Sequence, residues 1–152
     1  MIRYKGCGLP NVYLANGYQV VETVYGKGIT IHDVPGLHQA IGDMLVCAKE
    51  PLNGAEFRFL RQELELSQDA LGALFGRNGQ AIAQWEKGKS KKVDPIGDRL
   101  LRLLYRETKS GGLKHVLATL QRIEATPPHP RRIIVRERKD EWKAKAEVQA
   151  AA

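Results

Sequence analysis

Cysteine is scarce: the 152 residues hold only Cys7 and Cys47, and no CxxC pair. That leaves out the paired-thiolate frame of a zinc knuckle or ribbon. A Cys7, His32, His38 and Cys47 set has separations that fit no compact knuckle, so neither metal nor cofactor is expected. Both thiols are expected to be reduced. No apolar run reaches the 18 residues of a membrane span, and no membrane partner is expected. The N-terminus lacks a basic stretch followed by an apolar run and a small-residue cleavage site, so the expected location is the cytoplasm. Motifs for chemistry are also missing: there is no nucleophile elbow, phosphate loop or paired-carboxylate pattern. His32-Asp33 and His38 could suggest acid–base work, but neighbours on a strand such as His32 and Asp33 point to opposite faces. No enzyme is expected.

Acidic residues thin out along the chain. Residues 1–76 carry 6 basic and 8 acidic side chains, whereas residues 77–152 carry 18 and 9. A basic half points to a polyanion or an acidic protein surface as partner.

The pattern predicts an α+β chain. In residues 1–50, Val12-Tyr13-Leu14, Tyr18 to Tyr25 and Ile29-Thr30-Ile31 read as three strands. Asn16-Gly17 and Gly26-Lys27-Gly28 lie between them as turns, which predicts a small antiparallel meander. A helix follows from Pro35 to about Ala48, with Leu37, Ile41, Leu45 and Met44 on one face. Pro51-Leu52-Asn53-Gly54 breaks the pattern, and a domain boundary is expected there.

Residues 51–108 predict an all-α domain. Ala55–Leu64 turns Phe57, Leu60 and Leu64 inward. Ser67 caps a second helix, Gln68–Phe75, with Leu71, Leu74 and Phe75 inward. Gly76-Arg77-Asn78 is a turn, and Asn78 caps a third helix from Gly79 to Lys87, which holds Ile82 and Trp85 inward and ends at Gly88. Asp94-Pro95 opens a fourth helix whose expected buried stripe is Ile96, Leu100, Leu103 and Leu104. Residues 109–152 form an extension: a helix over Leu113–Ile123, a stiff Pro127-Pro128-His129-Pro130 spacer, a short strand at Ile133-Ile134-Val135, and a polar helix or frayed tail over 138–150.

The stretch from Phe59 to Gly76, continued by Ile82 and Trp85-Glu86-Lys87-Gly88, resembles the Cro/repressor-like helix-turn-helix family. The resemblance implies a repressor, of its own operator, that binds duplex DNA as a homodimer on half-sites about 34 Å apart. It also implies that Gln68 touches a phosphate, and that Asn78, Gly79, Gln80, Ala81 and Gln84 meet phosphate and base edges. Glutamine can pair bidentately with adenine, and an alanine can meet a thymine methyl. Arg77, Lys89, Lys91 and Lys92 flank the motif as candidate phosphate contacts.

Gly8 to Leu14, Ile31 to Ile41 and Leu52 to Arg61 extend the likeness, and residues 4–106 resemble the MqsA-like antitoxin regulators. Many members of that group bind zinc through two CxxC pairs. Here the first position offers only Tyr4 to Gly8, and the second would fall at Val24 to Lys27, which holds no ligand. The likeness implies a cognate toxin protein as a partner of residues 1–50. An interaction module without specific DNA readout also stays open at this point.

Overall fold

The computed structural model describes residues 1–88, 92–112, 131–139 and 141–148. Its architecture is α+β, as expected, and the chain divides into two units, Met1–Arg122 and Ile123–Ala152.

The first unit begins with two separate ladders. β1 (Ile2–Arg3) pairs antiparallel with β2 (Tyr13–Leu14), with Ile2 opposite Leu14. Among the described residues β3 (Tyr18–Thr23) pairs only with β4 (Gly26–Ile31), with Val20 opposite Ile29. The expected three-stranded meander is therefore corrected to two independent pairs. Gly17 does turn the chain, at φ 78°. However, β2 already has β1 as its partner, so the chain leaves for a hairpin of its own. The second turn is also corrected: it is Val24-Tyr25, and residues 26–28 lie in β4. Thr23 closes the turn, its hydroxyl donating to the Gly26 carbonyl at 2.7 Å and accepting from the Tyr25 N–H at 3.3 Å.

Each helix starts where a polar side chain can accept an orphan N–H. α1 (Val34–Cys47) is capped by Asp33, which accepts from the Gly36 N–H at 3.0 Å. α2 (Gly54–Glu63) opens with a reciprocal capping box: Asn53 accepts from the Glu56 N–H at 2.9 Å, and Glu56 accepts from the Asn53 N–H at 3.0 Å. α3 (Gln68–Leu74) is capped by Ser67 and α4 (Gly79–Lys87) by Asn78. α5 (Pro95–Ser110) is capped by Asp94.

One core joins these elements. Phe57, Leu60, Leu71, Ile82, Leu101, Leu104 and Tyr105 are almost wholly excluded from solvent. Cys7, Leu9, Ile41, Leu45 and Leu52 belong to the same cluster. The expected boundary at residues 50–51 thus falls inside a single unit. Pro51-Leu52 lies in the link between α1 and α2 and carries Leu52 into the core. There the Leu52 N–H donates to Asp98 at 3.0 Å. Arg102 completes the tie, donating to Asp98 at 2.6 Å and to the carbonyls of Ala48 at 2.5 Å and Glu50 at 2.6 Å.

This tie rotates α5 away from its expected stripe. Gly97, Asp98, Leu101, Leu104 and Tyr105 face inward, Leu100 is half-buried, and Ile96 and Leu103 are 72% and 58% exposed. The reason is local. Gly97 lies against the Trp85 ring, where an added Cβ would come within 2.9 Å of Cζ3, and Asp98 must turn inward to reach Leu52. Met44, expected on the inner face of α1, is likewise exposed.

In the second unit β5 (Arg131–Arg138) pairs antiparallel with β6 (Glu141–Val148). The helix or tail expected over 138–150 is corrected to a strand over 141–148. Along it Trp142, Ala144 and Ala146 alternate with Lys143, Lys145 and Glu147, which is the period of a strand. The helix expected over Leu113–Ile123 and the proline spacer lie outside the described residues.

Candidate nucleic-acid interface

α3 and α4 are joined by a short turn, and the sequence explains its tightness. The α3 cap residue Phe75 bonds back to Leu71, Gly76 is left-handed at φ 66°, and the Arg77 N–H donates to the Gly72 carbonyl at 2.7 Å. Gly72 lets the turn fold close, since a Cβ there would sit 2.8 Å from the Asn78 carbonyl oxygen.

α4 is held on three sides. Ile82 and Trp85 are buried, and the Trp85 ring meets Phe57 of α2 edge-on at 5.8 Å. On its far side Trp85 rests on Gly97 of α5. At the end of α4, Glu86 collects donors from two other helices. Arg61 of α2 donates to it through Nε at 2.5 Å and through a terminal nitrogen at 3.2 Å, and Gln68 of α3 donates at 2.8 Å. The other Arg61 nitrogen donates to the Leu66 carbonyl at 2.8 Å. The Arg61 and Glu86 side chains are 9% and 5% exposed, so this charge pair is shielded and fully hydrogen-bonded. It locks α2, α3 and α4 in one arrangement.

The outer face of α4 is what this scaffold presents. Gln80, Gln84 and Lys87 are all exposed, at positions i, i+4 and i+7 of one helix. That spacing puts them in a row on one side. Arg77 and Asn78 are exposed at the start of the same helix, and Lys92 is exposed beyond its end. Asn78 uses its side-chain oxygen to cap the Ala81 N–H at 2.9 Å, which leaves its amide N–H groups for an outside acceptor.

The remaining sequence candidates are placed less simply. Gln68 is half-buried and bonded to Glu86, so one of its donors is already engaged. Gly79 and Ala81 are half-buried. Gly79 lies against the Asp69 carboxylate and 3.1 Å, measured from an added Cβ, from the Asp69 backbone nitrogen. Its lack of a side chain serves the approach of α3 to α4. Lys89 and Lys91 lie outside the described residues. Lys87 was not singled out from the sequence; its position seven residues after Gln80 is the signal that finds it.

Of the histidines that drew attention as possible acid–base groups, His38 is part of a structural tie. His38 of α1 bonds the Tyr4 hydroxyl through Nε2 at 2.9 Å and Glu63 of α2 through Nδ1 at 2.7 Å, and its ring leans on Phe59 at 5.6 Å. Burial, followed by the Cys7 thiol and Glu63, pushes the Tyr4 hydroxyl above its ordinary range. Among the described residues no three His, Cys, Asp or Glu side chains converge as a metal-binding group. None of their helices is long and apolar enough to cross a membrane.

No family model, curated protein or solved structure matches the chain.

Proposed function

We propose that the chain is a sequence-specific DNA-binding transcriptional regulator that represses from an operator, and that α4 is its recognition helix. One observation carries the reading. The exposed row Gln80, Gln84 and Lys87 sits on a helix whose opposite face is fixed by Ile82, Trp85 and the Glu86 network. Side chains so held can meet base edges at a constant depth in a groove about 12 Å wide. Gln80 and Gln84 offer paired donor and acceptor groups for adenine. Arg77, Lys87 and Lys92 supply charge for phosphates on either side. In this reading the protein is no enzyme and works in the cytoplasm, where its operator is.

A homodimer fits the same reading. Ile96 and Leu103, two helical turns apart on α5, form an exposed apolar row with the half-buried Leu100 between them. A second copy would cover that row and place a second α4 on the next half-site. The test is selection of bound genomic fragments with purified protein, followed by sedimentation of the complex. A shared two-fold symmetric site holding two protomers supports the reading. Random recovery of fragments refutes it.

The β3–β4 hairpin favours a protein partner as well, of the cognate-toxin kind. Val24 and Tyr25 at its tip are 96% and 98% exposed, and Val20 and Ile29 pair in the open on one face. Apolar side chains grouped on an exposed ribbon mark interaction surfaces. Co-expression with the product of the neighbouring open reading frame tests this, with Tyr25→Ser expected to weaken any complex.

A further inference from the structure

The β5–β6 hairpin sorts its side chains onto two faces of opposite character. The register places Ile133 and Val135 across from Ala146 and Ala144, with Trp142 on the same side. The other side carries Arg132, Arg136, Lys143 and Lys145 around Ile134, with Glu141 and Glu147 at its two ends. Apart from half-buried Ile134, all of these side chains are exposed.

The cations on the second face are arranged against their own repulsion. Arg136 stands directly opposite Lys143, and Lys145 follows on the same strand and face. Opposite partners in such a ladder lie about 5 Å apart at Cβ, and like charges there are unfavourable. All three fall within one Debye length, about 8 Å at physiological salt, so solvent ions screen them poorly. The nearby Glu147 is within 3.8 Å of Arg132, at the end of the face. Among the described residues no carboxylate lies within ion-pair distance of Arg136, Lys143 or Lys145. Such a cluster is relieved by an anion laid across it.

The geometry points to a second DNA contact: the Arg136, Lys143 and Lys145 face of the hairpin holds the phosphodiester backbone of duplex DNA. The inference rests on the proposed DNA-binding function and adds a contact element outside the helix-turn-helix. Other polyanions fit less well. Single-stranded nucleic acid is gripped by aromatic stacking beside charge, and here Trp142 lies on the opposite face. A two-stranded ribbon matches the width of a major groove. The contact is to phosphate, so it adds affinity without adding sequence preference.

The test uses the full chain carrying Arg136→Gln, Lys143→Gln and Lys145→Gln together, in a salt titration of binding to a random-sequence duplex. Three lost phosphate contacts lower the slope against log salt by about 2.7. Between 0.05 M and 0.2 M salt, the wild-type affinity should then fall about 40-fold more than that of the variant. The ratio of operator to random affinity should stay unchanged. An Arg132→Gln and Glu147→Gln pair on the same face keeps the net charge and should keep the slope. An unchanged slope in the triple variant overturns the proposal, as does an equal fall in the charge-neutral pair. Hairpin-dependent binding that is tighter to single-stranded RNA or to phosphatidylserine vesicles than to the duplex also overturns it. Failure of the operator reading is seen elsewhere, as loss of any preferred site in wild-type protein, with the hairpin slope still measurable on random DNA.

Discussion

Tyr105 gives the sharpest test of the packing. Its side chain is 1% exposed, and its hydroxyl has no hydrogen-bond partner among the described residues. The oxygen points at Gly42 of α1, where a Cβ would collide with it. A buried hydroxyl without a partner carries the full cost of lost hydration, about 1–3 kcal/mol. Tyr105→Phe removes the oxygen and keeps the ring, so the variant should be more stable by about that amount at pH 7. At roughly 4 °C per kcal/mol, the gain is easily read in a thermal scan. Alkaline pH enlarges the difference. Burial, followed by Asp43 and Glu63, pushes the Tyr105 hydroxyl up to about 12 from its ordinary 10. The native state therefore keeps its full stability below pH 10 and loses it as pH rises from 10 towards 12, because the unfolded chain gives up the proton first. By pH 11 the loss from this group is on the order of 1 kcal/mol. The phenylalanine variant lacks that loss, so the gap between the proteins should widen by this amount. Urea unfolding of both at pH 7 and pH 11 is the assay. A variant less stable than wild type at pH 7 would show that the hydroxyl makes a favourable bond, and would refute the reasoning.

Three further outcomes are expected. Gln80→Ala should cost about 1–3 kcal/mol of discrimination for the operator and leave random DNA unaffected, whereas Lys92→Ala should weaken both alike; equal weakening of both DNAs by Gln80→Ala in a binding titration would remove α4 from base readout. Asp98→Ala strands the buried Leu52 N–H and leaves Arg102 without its carboxylate. It should destabilise by about 2–4 kcal/mol in denaturant unfolding, and a change below about 0.5 kcal/mol would mean the tie is ornamental. Glu65 follows α2 in the left-handed region at φ 57°. Glycine there avoids the Cβ clash, and Glu65→Gly should raise stability by about 0.5–1 kcal/mol, with a lower thermal midpoint as the contrary result.

The helices were legible because their ends are written locally. Ser67 and Asn78 are caps whose partners lie three residues on, so the bounds of α3 and α4 follow from short-range chemistry. The same holds for the exposed positions of α4, since Ile82 and Trp85 define its inner side. What depends on distant partners was not legible. Nothing local tells β2 to pair with Ile2 and Arg3 rather than with β3. The inner stripe of α5 was misread because apolar content suggested Ile96. Its true facing is set by the ring of Trp85 and by the N–H of Leu52, both remote in sequence. In residues 138–150 the lysines, alanines and glutamates favour a helix by propensity. The alternation from Trp142 to Glu147 favours a strand, and pairing with β5 decides between them.

The β3–β4 hairpin leaves and rejoins the body of the protein at a single point. The His32 N–H donates to the Gly17 carbonyl at 3.1 Å, so the two ends of residues 18–31 already touch. An element attached in this way behaves as a graft. It can be excised and its stumps joined by a tight turn, or exchanged for a ribbon of another length. The entropic cost of closing a longer loop grows only slowly, and the core formed by α1 to α5 contributes nothing to the exchange. The length between Gly17 and His32 can therefore change while the helical body stays the same, and an engineer can use the same site to install a peptide tag.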